Sequence, residues 1–422
     1  MAQLTIELSM IVKDEATSLA RCLRSVQGAV DRILIGDTGS SDNTVEIARS
    51  FGAEIVHVPW NNDFSQARNA LLERATCDWV LVLDADEMLD AQGPAQLRRD
   101  VQAAGIDAYD VHRWNYVRER NSRSGENGSV PNPGALPESL DYPSYVLATN
   151  TRLFRRDPRV YFERPVHETV IHRLQQLGRH VGVASFPIHH LGQAEDSVAK
   201  RAKKNETYQQ IGRLHLTQHP DDSRTCFELG LGELEHFKNP QAALHHFSQA
   251  IALDPGNAPA HIMAGVCLVR LKEHARAIAA LEQAKALDPT SIVLHEALGD
   301  AFYLSANYGA AHTAYQRALQ LGSDSSLVVA KTGSCRIYLG DTPGGVALLE
   351  KALHADLEQP ELLDVVALGF ALAREHYRAA KVARQRLSLG NTTDFHHELA
   401  ATLERLCHDI DTGGSRGLQA PE

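Results

Sequence analysis

The second half of this chain repeats at a fixed step. Ala250, Ala284, Ala318 and Ala352 recur every 34 residues, and Ala243, Ala277, Ala311, Gly345 and Ala379 keep the same interval. A bulky partner follows the same spacing at Phe247, Leu281, Tyr315 and Leu349, and a glycine at Gly265, Gly299 and Gly333. Asp254-Pro255 and Asp288-Pro289 punctuate two of the units. A unit of this length holds two helices and a turn. Its small residues let the helices approach and its bulky ones fill the gaps between units. One such unit cannot bury its apolar face alone, so the period predicts an all-α solenoid of about five stacked units across residues 221–390. The period is that of tetratricopeptide repeats.

Residues 1–192 follow a different pattern. Apolar strand-like runs at 4–12, 32–35, 54–58 and 79–83 alternate with helix-like stretches at 15–26, 45–50 and 65–75. The β-α-β-α-β order predicts an α/β domain, a mostly parallel sheet sandwiched by helices. Residues 121–144 are rich in Ser, Gly, Asn and Pro and read as a loop, either a lid or a surface insertion. Residues 193–220 are expected to form a helical linker, and 391–422 a last helix with a disordered tail from Thr412.

Bulk properties narrow the function. At 422 residues the chain needs more than one core. A net charge of −11 without a long basic block argues against nucleic acid as the partner. No run approaches the roughly 18–20 apolar residues of a membrane span. The start, Met1-Ala2-Gln3-Leu4-Thr5-Ile6-Glu7, lacks the basic and apolar blocks of a signal peptide, so the cytoplasm is the expected location. The six cysteines are scattered and form no C-x-x-C pair, which predicts reduced, mainly buried side chains.

The strand-like run Trp79-Val80-Leu81-Val82-Leu83 ends in Asp84-Ala85-Asp86. If the extended path continued, both carboxylates would face one side, at the strand end where ligands of open α/β sheets sit. Two acids there call for a cation, and a cation there suggests a phosphorylated substrate. A solvated acidic turn is the plain alternative. A dinucleotide-binding oxidoreductase or a nucleotide-sugar pyrophosphorylase would need a glycine-rich turn after the first strand, whereas the chain has Val12-Lys13-Asp14-Glu15.

The ordered pieces Met10-Ile11-Val12-Lys13-Asp14-Glu15, Asp37-Thr38-Gly39-Ser40-Ser41-Asp42-Asn43-Thr44, Phe64-Ser65-Gln66-Ala67-Arg68-Asn69 and Cys77 through Glu87 resemble family 2 glycosyltransferases. Phe162-Glu163-Arg164-Pro165-Val166-His167-Glu168 and His189-His190-Leu191-Gly192 resemble later motifs of the same branch. Fusion to tetratricopeptide repeats occurs there, including in bacterial S-glycosyltransferases that modify peptide cysteines. The resemblance implies a GT-A-type (Rossmann-like) catalytic domain and inversion at the anomeric carbon. It implies a nucleotide-sugar donor such as UDP-glucose, held through Val12, Asp14, Glu15, Asp37, Gly39, Ser40, Arg68, Asp84 and Ala85. Asp37 would read the uracil N–H and Arg68 the base or diphosphate; Glu15 capping a helix and Arg68 forming a salt bridge are the plainer alternatives. Mg²⁺ or Mn²⁺ would be held by Asp84 and Asp86, with His167 or His190 as a third ligand. Glu168 would be the general base, with Glu87 as the second candidate.

Trp60 and Trp114 are candidates for stacking on sugar or base, or for core packing. The arginines at 152, 155, 156, 159 and 164 would steer anions or simply line a solvated face. The repeats favour a peptide or protein acceptor held in their groove, or self-association. Two rival readings are a lipopolysaccharide-core glucosyltransferase and a catalytically inactive scaffold.

Overall fold

The computed structural model describes residues 4–118, 123–124 and 127–411. The chain divides into two units, Met1–Asp221 and Asp222–Glu422.

In the first unit, strands β1 (Ile6–Val12), β2 (Arg32–Asp37), β3 (Glu54–His57) and β4 (Trp79–Val82) alternate with helices α1 (Leu19–Ser25), α2 (Thr44–Ser50) and α3 (Phe64–Leu72). There follow β5 (Glu87–Met88), α4 (Gly93–Asp100), β6 (Ala108–Val117), β7 (Arg123–Ser124), β8 (Asn127–Pro131) and β9 (Ser144–Arg155). The unit ends with α5 (Ile171–Gln176), β10 (Val181–Val183), β11 (Ile188–His190), α6 (Gly192–Glu195) and α7 (Val198–Gln218).

The main path through the sheet runs β3-β2-β1-β4-β9-β6-β11-β5. Its first four strands are parallel, as the alternating pattern predicts. Beyond them β9 inserts antiparallel between β4 and β6, which makes the whole sheet mixed. β4 is buried on both faces. Trp79 and Leu81 join the core over β1 and α1, while Val80 and Val82 join a second core with Phe154 and Phe162. That double burial explains the continuous apolar run, since neither face of the strand meets water.

Two expectations shift locally. The first helix begins at Leu19 rather than at residue 15, because the chain turns at Asp14, whose φ is 54°. The 121–144 stretch is not wholly a loop. β8 within it pairs with β9, and a 3₁₀ turn covers Pro137–Ser139. Residues 121–122 and 125–126 of that stretch, and the tail from Thr412, lie outside the described residues.

The second unit is all helix. Five antiparallel pairs follow one another: α8 and α9 (Ser223–Glu235, Pro240–Leu253), α10 and α11 (Ala258–Arg270, His274–Leu287), α12 and α13 (Ile292–Leu304, Tyr308–Gln320), α14 and α15 (Ser326–Tyr338, Thr342–Ala355), and α16 and α17 (Pro360–Leu372, His376–Ser388). A final helix, α18, spans Asp394–Asp411. The period has a direct steric cause. A Cβ added at Gly265 would lie 2.4 Å from Leu281 Cγ, and one at Gly299 would lie 2.3 Å from Tyr315 Cε1. Gly265 and Gly299 on first helices are thus the seats for the bulky residues of the second, whereas a Cβ at Gly333 would first meet the Gly345 backbone, at 2.8 Å. Helix starts repeat as well. Asn239, Asn257, Ser291, Asn307, Ser325 and Asp341 each accept a backbone N–H from the first turn. Of the six cysteines, all but the half-buried Cys407 are buried, and none is in a disulfide.

Candidate active site

The carboxyl ends of β1, β2 and β4 lie side by side, because these strands are parallel neighbours. The loops leaving them are tied to one another by short polar side chains. Asp14 Oδ1 accepts hydrogen bonds from the Ser41 backbone N–H (2.7 Å) and hydroxyl (3.0 Å), and these hold its carboxyl below the usual range. The Asp14 N–H donates to Ser40 Oγ (3.0 Å), and the Glu15 N–H to Thr44 Oγ1 (2.7 Å). The Val12 carbonyl is taken by the Thr38 N–H (3.0 Å). Asp37 is 5% exposed; its Oδ1 accepts the Ser40 N–H at 2.9 Å and its Oδ2 faces His57 Nδ1 at 3.3 Å. Gly39 makes this turn with φ +103° and open space where a side chain would be. Burial raises the Glu15 carboxyl above its usual value, against a hydrogen bond from Ser18.

After Val82 the extended path stops. The chain turns, with the Glu87 N–H donating to the Asp84 carbonyl at 3.0 Å. The two acids therefore meet different partners, which corrects the expectation of a shared face. Asp84 enters a row of alternating charges. Arg68, on α3 and 5% exposed, donates from Nη2 to Asp84 Oδ1 (2.7 Å) and from Nε to Glu168 Oε1 (2.6 Å). Arg152, on β9, donates from Nη2 to Asp84 Oδ2 (3.3 Å) and to Glu87 Oε1 (3.1 Å). Arg113, on β6, reaches Glu87 Oε1 at 3.2 Å. Desolvation pushes the Asp84 carboxyl up, but Arg152 and Arg68 outweigh it and hold the group well below the carboxylate range.

Asp86 faces His190 instead, Oδ2 to Nε2 at 3.2 Å. The other ring nitrogen, Nδ1, lies 2.7 Å from Asn115 Oδ1, and Asn115 Nδ2 donates to the Val146 carbonyl (3.1 Å). That orientation makes Asn115 Oδ1 an acceptor, so Nδ1 carries a proton and Nε2 is the nitrogen that faces Asp86, donating to it when protonated and offering a lone pair to a cation when not. In the second state a cation between the lone pair and the carboxylate oxygen would replace that proton. The separation is also close to the roughly 3 Å between neighbouring ligands of an octahedral ion with bonds of about 2.1 Å. Among the described residues no group of three or more His, Cys, Asp or Glu side chains forms a metal cage. One carboxylate and one imidazole still suit Mg²⁺ or Mn²⁺, which keep waters and take phosphate oxygens as further ligands. The chain guards this pair closely: a Cβ at Gly192 would sit 1.8 Å from Asp86 Oδ2. Burial raises the Asp86 carboxyl, yet the His190 contact leaves it lowered overall.

The remaining candidates are placed as follows. His167, with φ 54°, has its ring edge-on to Tyr208 at 6.0 Å between centroids. Glu87 is sealed, with a side-chain exposure of 0%; Oε2 accepts the Asp84 N–H (2.9 Å) while Oε1 meets both arginines. This corrects its candidacy as a base: the carboxylate braces the turn and presents nothing to an acceptor. Ala85 points into the core over β1 and α1, so only its backbone is free to serve a ligand. Among the described residues Glu168 Oε2 makes no hydrogen bond, and the side chain is 15% exposed. Trp114 stacks on Tyr145 (4.3 Å, 7°) within an apolar cluster, whereas Trp60 packs edge-on to Phe64. Arg113 and Asn115 join the site without any local motif to mark them. Arg152 was only one arginine among five, and its partners lie 65 and 68 residues away.

Residues 8–159 match the family described as Glycosyl transferase family 2, and residues 236–300 match the tetratricopeptide repeat. A TPR repeat-containing protein of Synechococcus elongatus is 35% identical over 235 residues, covering 54% of this chain and 52% of its own. The SPbeta prophage-derived glycosyltransferase SunS of Bacillus subtilis is 23% identical over 251 residues, covering 58% of this chain and 53% of its own. An uncharacterized glycosyltransferase of Rickettsia felis is 37% identical over 89 residues, 21% of this chain and 30% of its own. The chain thus spans about half the length of the first two relatives. Among the described residues no helix is long and apolar enough to cross a membrane. On these matches the chain carries a family 2 glycosyl transferase domain followed by tetratricopeptide repeats.

Proposed function

We propose that the first unit transfers a hexose from a nucleotide sugar, UDP-glucose or a close analogue, to a peptide or protein acceptor, with inversion at the anomeric carbon. The observation that carries this reading is the Asp86–His190 pair, a carboxylate and an imidazole 3.2 Å apart at the ligand end of a parallel sheet. Asp86 and His190 would hold Mg²⁺ or Mn²⁺; when bound, the ion neutralises charge on the leaving diphosphate. Asp37, set in its tight turn, is the acceptor for the base N–H. Arg68 fixes Asp84 and Glu168 relative to each other, and Glu168 Oε2 is the free oxygen that takes the acceptor proton.

The acceptor class rests on the repeats, whose arrays hold extended segments or helices of partners, and on the likeness to SunS. Transfer to a cysteine or a Ser/Thr hydroxyl fits this chemistry equally. The test is nucleoside diphosphate release by the purified chain from a panel of nucleotide sugars in Mn²⁺, with intact-mass measurement of candidate peptides. Donor-dependent release with a hexose-sized mass gain is expected, and Asp86→Ala should abolish both. Undiminished turnover in Asp86→Ala would remove the metal role, and transfer only to lipid-linked sugar would remove the peptide acceptor.

A further inference from the structure

Helix α7 closes the first unit and turns one face toward the acids. Lys200, Lys204 and Tyr208 lie four residues apart and so share that face. The Tyr208 ring seats it, packing edge-on to Phe64 (centroids 5.7 Å apart) and to His167 (6.0 Å). Lys204 Nζ stands 6.0 Å from the centre of the Tyr208 ring. The two lysines differ in one respect. Lys200 is neutralised by Asp196 at 2.8 Å, whereas among the described residues Lys204 makes no direct ion pair. Lys204 is nevertheless open to solvent and surrounded by charge of opposite sign, with Asp86, Asp84 and Asp196 the carboxylates that act on it. Partial loss of water around its ammonium lowers its pKa, and Tyr208 together with those carboxylates more than reverses this, so the ammonium stays protonated. An unpaired cation within electrostatic reach of a candidate metal pair is placed for an anion that arrives and then acquires more charge.

We infer that Lys204 binds the diphosphate of the nucleotide sugar and holds it as it departs, an assignment that rests on the transferase reading above. In the transfer step the acceptor nucleophile forms a bond to the anomeric carbon. The bond from that carbon to the phosphate oxygen breaks, its electron pair stays on the oxygen, and the acceptor proton passes to Glu168. The charge on the leaving diphosphate rises by one unit. Lys204 gives up no proton; its N–H groups donate to the phosphate oxygens, and a charge-assisted bond of this kind strengthens as the oxygen becomes more anionic.

The test is calorimetric titration of the full chain, in Mn²⁺, with UDP and separately with UMP. Lys204→Met should weaken UDP binding about tenfold or more and leave UMP unchanged, while Lys204→Arg keeps most of the UDP affinity. Lys204→Gln serves as a second neutral variant, and melting curves matching the unmodified chain establish that each variant folds. Unchanged UDP affinity in both neutral variants would overturn the assignment and leave the transferase reading intact. An equal loss for UDP and UMP would also overturn it, since Lys204 would then support the nucleotide loops rather than the second phosphate. Binding of neither nucleotide by the unmodified chain would remove the donor reading and this assignment together.

Discussion

The two units bury opposite kinds of side chain. At the site of the first, three guanidiniums and three carboxylates interlock from Glu168 through Arg68, Asp84, Arg152 and Glu87 to Arg113. In the second, the repeated contacts are alanine, glycine and one large apolar side chain per pair, as at Gly265 against Leu281. Apolar contacts of this kind are interchangeable from one repeat to the next, and damage to one is confined to its neighbours. A charge row has no such tolerance. Each member is satisfied by particular partners at particular angles, and losing one strands a desolvated charge. The first unit concentrates its vulnerability in a few residues, whereas the second spreads it along the array.

The largest break in that contrast should come from Arg68→Met, which leaves Asp84 and Glu168 without their shared partner. A loss of about 3–5 kcal/mol is expected, read as a lower urea midpoint for the first unit, together with loss of donor turnover. Leu281→Ala should cost about 2–5 kcal/mol, but faster hydrogen exchange should stay confined to α10–α12 and nucleotide binding should be untouched. Loss of nucleotide binding in that variant would end the idea of independent damage. Gly192→Ala forces a methyl group against the Asp86 carboxylate, for about 1–3 kcal/mol and a right-shifted Mn²⁺ titration of turnover. An unshifted titration would show that the Asp86 carboxylate relocates without consequence.

The smallest effect concerns pH. Burial lowers the pKa of His189 below its usual 6.5, against a weaker pull from Asp90, and Tyr116 lies 2.8 Å from its Nδ1. A depressed histidine pKa means that the unfolded chain binds the proton more readily. This contribution to stability is therefore full above about pH 6.5 and is lost as pH falls through the depressed value, at no more than about 1.4 kcal/mol per unit of depression. His189→Gln should flatten the dependence of the urea midpoint on pH over that window; an unaltered slope would assign it to other groups.

What was legible in the sequence depended on the distance between partners. Gly299 and Tyr315 meet across one turn, so their spacing repeats along the chain and can be counted. The run 79–83 was legible because both faces of β4 are covered. The insertion of β9 between β4 and β6 was not, because nothing local to residues 144–155 encodes which strands it joins. The split between Asp84 and Asp86 escaped for a related reason. A turn bonded from Glu87 back to Asp84 replaces the extended path, and the partners that draw the acids apart, Arg152 and His190, lie far along the chain.

The charge row also sets the field that a ligand would feel. Its three positive and three negative groups cancel, so at a distance the row acts as a string of dipoles with no monopole of its own. Around it stand the acids Asp14, Glu15, Asp37 and Asp86, with the ammonium of Lys204 acting on Asp86 and Asp84. A polyanion approaching the bare protein would meet no long-range attraction from its most heavily charged row, and repulsion from the acids of its rim. Electrostatic capture there falls to Lys204 and to mobile divalent cations, and the rate of capture should follow the concentration of those ions more closely than the protein's overall charge.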